Sequence, residues 1–202
     1  FSTEDPNEKH LDHSYRADLP VRADQPPPPP TPQTALSDLE RAAGGTLRIE
    51  WASGPERRSL FISGQIPADE RDPEKAARAF FDRYAALYSI AVPQQELQLA
   101  RLEEDPLGMH HVHFNQTVNG VPVFGVQLIV HLRDGLITAV NGTYFPNLRV
   151  DTSPRLTQEE ALTIVRADVG DEMAEFRADR SGLMVYVKNG QPYLTWKVNV
   201  FS

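Results

Sequence analysis

The sequence predicts an α+β protein with two units, each a helix followed by antiparallel strands, behind a proline-rich tail. Three observations predict this class. Helical spacing gives way to strand alternation over residues 73–140, and the same order recurs over residues 157–200. Eight of the 17 prolines lie in the first 32 residues. A chain of 202 residues has room for two small packed units of this kind.

Residues 1–32 are predicted to be a flexible tail that ends in a stiff spacer. The first 25 residues are polar and aperiodic, and an unbroken run of prolines fills residues 26–30. Proline fixes φ and lacks a backbone donor, so this run favours polyproline II. A ligand for an SH3-type domain is the functional alternative, and a spacer is the simpler interpretation.

A short helix and a hairpin are expected next. Ser37 and Glu40 fit a capping box, and a Gly-Gly pair follows, which predicts a helix over residues 38–43. Apolar and polar residues then alternate over residues 47–51, and a second apolar run at 59–63 predicts the returning strand.

The clearest helix is predicted over residues 73–89. Asp72 suits the N-cap and Pro73 suits the first helical position, where a missing N–H costs nothing. An apolar stripe recurs at helical spacing: Ala77, Phe81, Tyr84, Leu87 and Tyr88. We interpret the stripe as core and not as a cofactor site, because large aromatic residues are usually buried.

Strands are expected over residues 98–103, 111–117, 121–124, 126–132, 136–140, 183–187 and 194–200. Asn119-Gly120 and Asn189-Gly190 suit two-residue turns in which both positions need φ > 0. Gly125 interrupts an apolar run, which predicts a bulge or kink. Thr157 and Glu160 form a second capping box, so another helix is expected from there to about residue 168.

Composition excludes several functional classes. The net charge is −8 and none of the three predicted segments is basic, so we expect no nucleic-acid partner. No apolar run approaches the roughly 20 residues of a membrane-spanning helix, so no membrane partner is expected. The chain has no cysteine, which excludes disulfides, thiolate metal sites and cysteine nucleophiles.

Histidines are the first candidates for metal ligands. His111 and His113 share one face of a predicted strand, and His131 or a carboxylate could supply a third ligand. The sequence has no H-E-x-x-H helix that would pair two ligands with a general base. We therefore favour surface histidines and predict no metal site in this chain.

No catalytic residue is predicted either. The chain lacks a G-x-S-x-G elbow and a glycine-rich phosphate loop. Its paired carboxylates lie in a turn and at a helix start, where the helix dipole explains them. The residues by themselves indicate a non-catalytic protein that binds another polypeptide.

One stretch resembles a known family. Gln116-x-x-x-Gly120-Val121-Pro122-Val123-Phe124-Gly125 closely resembles the FTP domain, the propeptide module of fungalysin and thermolysin zymogens. Val130-His131-Leu132 and Ala139-Val140-Asn141-Gly142 extend the likeness, although His113 stands where the family commonly has arginine.

The C-terminal part is similar to the PepSY domain of thermolysin-type precursors. The likeness rests on Leu156-Thr157-x-Glu159-Glu160-Ala161-Leu162 and on Leu194-Thr195-Trp196-Lys197-Val198. PepSY domains usually continue to a further strand, so residues 151–202 are expected to be a truncated unit. The resemblance implies a cystatin-like form for both units, with the FTP-type domain at residues 33–150.

The resemblance implies a function as well. Such a prosegment acts as the intramolecular chaperone and temporary inhibitor of a secreted zinc metalloprotease. Its partner would be its own catalytic domain, and zinc and calcium would belong to that domain and not to this chain. We expect secretion through a signal peptide that has been removed or lies outside this sequence.

The candidate interface and family-motif residues are Gln116, Asn119, Gly120, Val121, Pro122, Val123, Phe124, Gly125 and Trp196. Exposed groups around Gln116, Asn119 and Phe124 are expected to help form the interface or its supporting turn, and a purely structural role is an equal alternative. Two other functions stay open: a stand-alone secreted or cell-surface binding module, and an enzyme that uses a His111/His113 metal site.

Overall fold

The computed structural model describes residues 30–53, 58–169 and 175–201. Within them the elements follow in the order α1 (Pro32–Ala42), β1 (Arg48–Ser53), β2 (Arg58–Pro67), α2 (Pro73–Tyr88), α3 (Pro93–Glu96), β3 (Leu97–Glu104), β4 (His110–Val118), β5 (Val121–Arg133), β6 (Leu136–Tyr144), α4 (Gln158–Val169), β7 (Glu175–Lys188) and β8 (Gln191–Phe201). The protein is therefore mixed α+β, as predicted.

The strands form a mostly antiparallel sheet in the order β1-β2-β6-β5-β4-β3. Helices α1 and α2 contact each other, and α2 lies against β4, so the apolar side chains of the helices and of one sheet face share a core. The rings of Phe81 on α2 and Phe114 on β4 meet edge to face at 5.7 Å, and both are at most 1% exposed. This contact confirms the aromatic stripe of α2 as core.

Two of the three predicted helix starts are confirmed. The Asp72 side chain accepts the N–H of Lys75 at 2.9 Å and begins α2. At α4 the Thr157 hydroxyl accepts the N–H of Glu160 at 3.2 Å, and the Glu160 carboxylate accepts the N–H of Thr157 at 2.7 Å. That reciprocal pair is the capping box expected from the sequence.

The predicted start of α1 is wrong. The helix begins at Pro32, six residues earlier than expected, and Ser37 lies inside it. Thr31 is the N-cap, with its hydroxyl accepting the N–H of Thr34 at 3.2 Å, and Pro32 takes the first helical position. Pro32 therefore belongs to a helix and not to the spacer. The proline run at residues 26–29 and the turn at 54–57 lie outside the described residues.

Both asparagine-glycine turns have the predicted geometry. Asn119 and Gly120 have φ of 49° and 81°, and Asn189 and Gly190 have 51° and 74°. These are the positive values that a two-residue hairpin requires. The turns join β4 to β5 and β7 to β8 without a register gap, since Val118 pairs with Val121 and Lys188 with Gln191.

Strand β5 is one long element and not two short ones. Gly125 has φ of 75°, so the predicted kink lies inside a strand that continues to Arg133. Beyond the kink β5 pairs with β6 from Leu128 onward. Before it, Val123 pairs in parallel with Val185 of β7. Strand β5 pairs with β6, before residue 150, and with β7, after it. The predicted domain boundary at residue 150 therefore stays a prediction.

Hydrogen bonds to the Glu96 carboxylate join the start of β3 to the end of β6. One Glu96 oxygen accepts the backbone N–H groups of Ala91 and Val92 at 2.9 and 2.7 Å. The other oxygen accepts the hydroxyl of Tyr144, which is fully buried. Burial and the neighbouring carboxylate both raise the pKa of Tyr144, so its hydroxyl stays a donor. We call this contact the Glu96–Tyr144 clasp.

We expect Phe114→Ala to lower the free energy of unfolding by about 3–5 kcal/mol, because it removes a ring from the contact between α2 and the sheet. Urea denaturation measures the change. Leu107→Ala is the control, since Leu107 is 72% exposed. Equal losses in the two variants would contradict the assigned core.

We expect Gly142→Ala to destabilise the protein by at least about 2 kcal/mol. Gly142 has φ of 140°, and a Cβ there would stand 2.0 Å from the carbonyl oxygen of Gln127. Gly182→Ala is the matched control, because a Cβ at that strand position meets nothing within 4 Å. Thermal unfolding of both variants tests the difference, and a stable Gly142→Ala protein would show that β5 and β6 are not packed this closely.

Candidate protein interface

Gln116 lies inside the protein and not on its surface. It is 2% exposed, so the expectation that Gln116 is exposed is wrong, and its burial agrees with the alternative of a structural role. Its amide nitrogen donates to the carbonyl of Phe145 at 2.6 Å, and its amide oxygen accepts the N–H of Phe145 at 2.9 Å. Gln116 thus supplies a hydrogen-bond donor and a hydrogen-bond acceptor to the backbone of Phe145, where the chain leaves β6.

The hairpin turn after β4 reaches the segment that leads to α4. The Asn119 side chain lies 3.5 Å from the hydroxyl of Thr152, at the limit of a hydrogen bond. Gly120 completes the turn, Val121 and Pro122 open β5 opposite β4, and Val121 is half-buried. These residues shape and place the turn.

Val123 and Phe124 point to opposite sides of β5. Val123 is 2% exposed and packs with Val126 and Val185 in a second apolar cluster. Phe124 is 48% exposed. The alternation of a strand therefore places one motif residue in a core and the next one in solvent, and the kink at Gly125 follows directly.

Phe124 belongs to an exposed row of aromatic rings. Its ring centroid lies 6.2 Å from that of Tyr186 on β7, and Tyr186 pairs across β7 and β8 with Tyr193. Tyr186 and Tyr193 are 44% and 49% exposed. We call these three residues the aromatic row. Exposed aromatic residues in contact are typical of protein-binding surfaces.

Trp196 lies on the face of β8 opposite to Tyr193 and holds a connecting segment. Its indole N–H donates to the carbonyl of Leu156 at 2.9 Å, which ties β8 to the start of α4. Tyr193, Trp196 and the 44% exposed Leu156 line a groove of about 440 Å³. Tyr193 lines the groove as well as the aromatic row, but Trp196 and Tyr193 lie on opposite faces of β8, so the groove and the aromatic row are two separate candidate surfaces.

Tyr186 and Tyr193 were not among the residues singled out from the sequence. The sequence nevertheless contains a signal for both tyrosines, in the position of the turn between them. With Asn189 and Gly190 as the two turn residues, counting outward pairs residue 188 with 191, 187 with 192 and 186 with 193. The strand alternation then places Tyr186 on the face opposite Val185, which is buried.

The interpretation of His111 and His113 as surface histidines is wrong for His113, which is 4% exposed. Strand β4 lies between β3 and β5, so side chains from both neighbours cover the ring. His113 Nδ1 lies 3.4 Å from the side-chain oxygen of Gln127, and Nε2 lies 3.2 Å from the carboxylate of Glu103.

The three histidines do not converge on a common point. His111 contacts His131 through their Nδ1 atoms at 2.6 Å, while His113 has its own partners. Across the described ranges, no group of three or more His, Asp and Glu side chains could hold a metal ion. Within the same residues, no helix is long and apolar enough to cross a membrane.

Comparison with protein families identifies part of the sheet. Residues 95–144 match the Fungalysin/Thermolysin Propeptide Motif. This segment covers the end of α3 and all of β3 to β6, and it ends at the Glu96–Tyr144 clasp. It also contains the turn at Asn119 and the exposed Phe124. The matched segment is thus a complete part of the sheet.

Several proteases have similar sequences. The chain is 30% identical over 149 residues to thermolysin of Alicyclobacillus acidocaldarius subsp. acidocaldarius, 29% over 153 residues to the thermostable neutral protease NprT of Geobacillus stearothermophilus, and 29% over 142 residues to bacillolysin of Bacillus subtilis (strain 168). The alignments cover 69, 69 and 67% of this chain but only 27, 28 and 26% of the relatives. The resemblance to a thermolysin-like protease propeptide is confirmed.

We expect Gln116→Glu to lower the free energy of unfolding by about 3 kcal/mol at pH 7, because a buried carboxylate would face the carbonyl of Phe145 in place of a donor. The loss should shrink in acid, where a protonated carboxyl donates again. Chemical denaturation at pH 7 and pH 5 measures both effects. Gln98→Glu, at an exposed position of β3, is the matched control, and a loss as large in that variant would contradict the role assigned to the buried amide.

Proposed function

We propose, from the premise that this chain carries the fungalysin/thermolysin propeptide motif, that it is the prosegment of a thermolysin-like zinc metalloprotease. In this role it assists folding of the catalytic domain and inhibits it temporarily. The observation that carries the proposal is the match of residues 95–144, which form the whole β3–β6 part of the sheet. The likeness to the three proteases supports the same partner.

The physical reason for such a chaperone lies in kinetic stability. A protease that survives its own activity needs a high unfolding barrier, and that barrier can also slow folding. A polypeptide that binds the native domain and the folding transition state lowers the barrier to folding. Covalent attachment raises the effective concentration, so moderate contacts are enough before cleavage.

The aromatic row is the surface we assign to the partner. Phe124, Tyr186 and Tyr193 offer apolar area on neighbouring strands, which keeps the entropy cost of binding low. The residues behind them act as supports: Gln116 holds the backbone after β6, and Trp196 holds the start of α4. Among the candidate residues predicted from the sequence, Phe124 contacts the partner, and the others position Phe124 or the segments around it.

Three finer features belong to the same proposal. Residues 151–202 are a PepSY domain, in which a capped helix precedes an antiparallel hairpin. Both units take a cystatin-like form, in which a helix packs on an antiparallel sheet. The precursor is secreted, since its catalytic domain would act outside the cell, and zinc and calcium bind to that domain alone.

We expect this chain, added in trans, to raise the refolding yield of the catalytic domain encoded with it and to inhibit the folded enzyme. Replacing all three residues of the aromatic row with alanine should raise the inhibition constant at least about tenfold, because exposed aromatic contacts dominate binding energy. Leu107→Ala, another exposed apolar position, should leave inhibition unchanged.

Circular dichroism of each variant confirms that its fold is intact before inhibition is measured. A chain that neither aids refolding nor inhibits at micromolar concentration would refute the proposal. A reading frame that encodes no protease after this chain would favour the stand-alone binding module. Equal inhibition by the wild type and the triple variant would leave the function in place and move the interface elsewhere.

A further inference from the structure

A chain of four polar side chains crosses the sheet on the face opposite the helices. Asp105, His111, His131 and Asn141 come from the turn after β3 and from β4, β5 and β6. The His111 Nε2 atom lies 3.3 Å from Asp105, the two Nδ1 atoms meet at 2.6 Å, and the His131 Nε2 atom lies 2.7 Å from the Asn141 side-chain oxygen. His111 and His131 are direct partners in the strand register.

The hydrogen bonds of this chain define where protons can be. The Asn141 oxygen accepts, so the His131 Nε2 carries a proton and donates. In neutral His131 the Nδ1 is then an acceptor, and it receives the Nδ1–H of His111. The carboxylate of Asp105 also accepts, so His111 donates to it from Nε2. All contacts are satisfied when the two rings together hold three ring protons.

We propose that His111 and His131 form an acid-sensitive latch between β4 and β5, closed when the two rings hold three protons and opened by the fourth. A fourth proton places one N–H against another at 2.6 Å and adds a second positive charge to the pair. Neither ring can then keep the contact, so the rings separate. The latch is a property of the chain itself and does not rest on the proposed function.

The charged groups around the His111–His131 pair determine how the pair responds to pH. Glu103 on β3 is the register partner of His111, but its carboxylate contacts His113 and lies 3.4 Å from Arg101. His113 is on the same strand face as His111. From β6 the neighbours are Ala139 and Asn141, neither of which is charged. Asp105 is therefore the acid in contact with the pair.

The environment of His131 agrees with this arrangement. Burial lowers the pKa of His131 below its usual 6.5, the Asn141 contact opposes that shift, and electrostatic interaction with His111 and His113 lowers the pKa further. The backbone N–H of Met109 is the main cause that lowers the pKa of Asp105, with Leu107 and His111 adding to it. His131 is thus neutral and Asp105 ionised at pH 7.

The lowered pKa of His131 determines how the stability of the folded chain depends on pH. The unfolded chain takes up a proton on His131 near pH 6.5, while the folded chain resists it because its pKa is lower. The contribution of His131 to stability is therefore fully present above about pH 6.5 and is lost as the pH falls below that value.

Histidine ring NMR on the full 202-residue chain tests the latch directly. We expect His131 to be the Nε2–H tautomer at pH 7.5 and to take up its second ring proton below pH 6.5. Amide signals of β4 and β5 around the pair should shift in the same step. Two rings that titrate independently near pH 6.5, with no linked amide shift, would overturn the proposal.

Thermal unfolding of variants gives a second readout. Between pH 7.5 and pH 5.0, the melting temperature of the wild type should fall by about 2–4 °C more than that of His131→Gln, which keeps polar contacts without titrating. His111→Gln should remove the same extra fall, and the double variant should add little more, because one pair causes it. His110→Gln, on the same strand but outside the pair, should behave as the wild type.

An equal fall in melting temperature between pH 7.5 and pH 5.0 in the wild type and in His131→Gln would overturn the latch. A fall that only the His110→Gln variant lacks would overturn it too, because it would place the titrating group elsewhere on β4. If His131→Gln does not fold, the NMR titration of the unchanged chain decides the question alone.

Discussion

The kink in β5 is the constraint on which the arrangement of the other strands depends. Before Gly125 the strand pairs with β7, and after it the strand pairs with β6, while β4 lies along its other edge. The kink at Gly125 lies between these two pairings. The positive φ of Gly125 makes the change of direction possible at little cost. Just before the kink, strand alternation places Val123 inside and Phe124 outside.

Local signals in the sequence predicted most elements because their causes are local. The Asp72 cap, the Thr157–Glu160 capping box and the two Asn-Gly turns each use side chains within a few residues. Ser37 misled us for the same reason, since a serine three residues before a glutamate also occurs inside a helix. The cap at Thr31 was hidden by the prolines around it.

Long-range contacts were beyond the reach of such signals. Nothing near Gln116 in the sequence indicates that its amide would bond the backbone of Phe145. His113 looks like a surface histidine from its neighbours, and it is buried because β4 has a strand on each side. The pairing of β5 with β7 brings Phe124 to Tyr186 from 62 residues away in sequence, so only the fold shows the candidate surface.

The Glu96–Tyr144 clasp has a consequence for how this region could be inherited. It joins positions at the two ends of the matched segment, and Thr117 adds a hydrogen bond to the carbonyl of Gln95 at 2.8 Å. A stretch whose entry and exit lie side by side can be joined to different flanking sequences without changing its internal strand order. The architecture thus suits a module that recombines with new neighbours while its own framework stays constant.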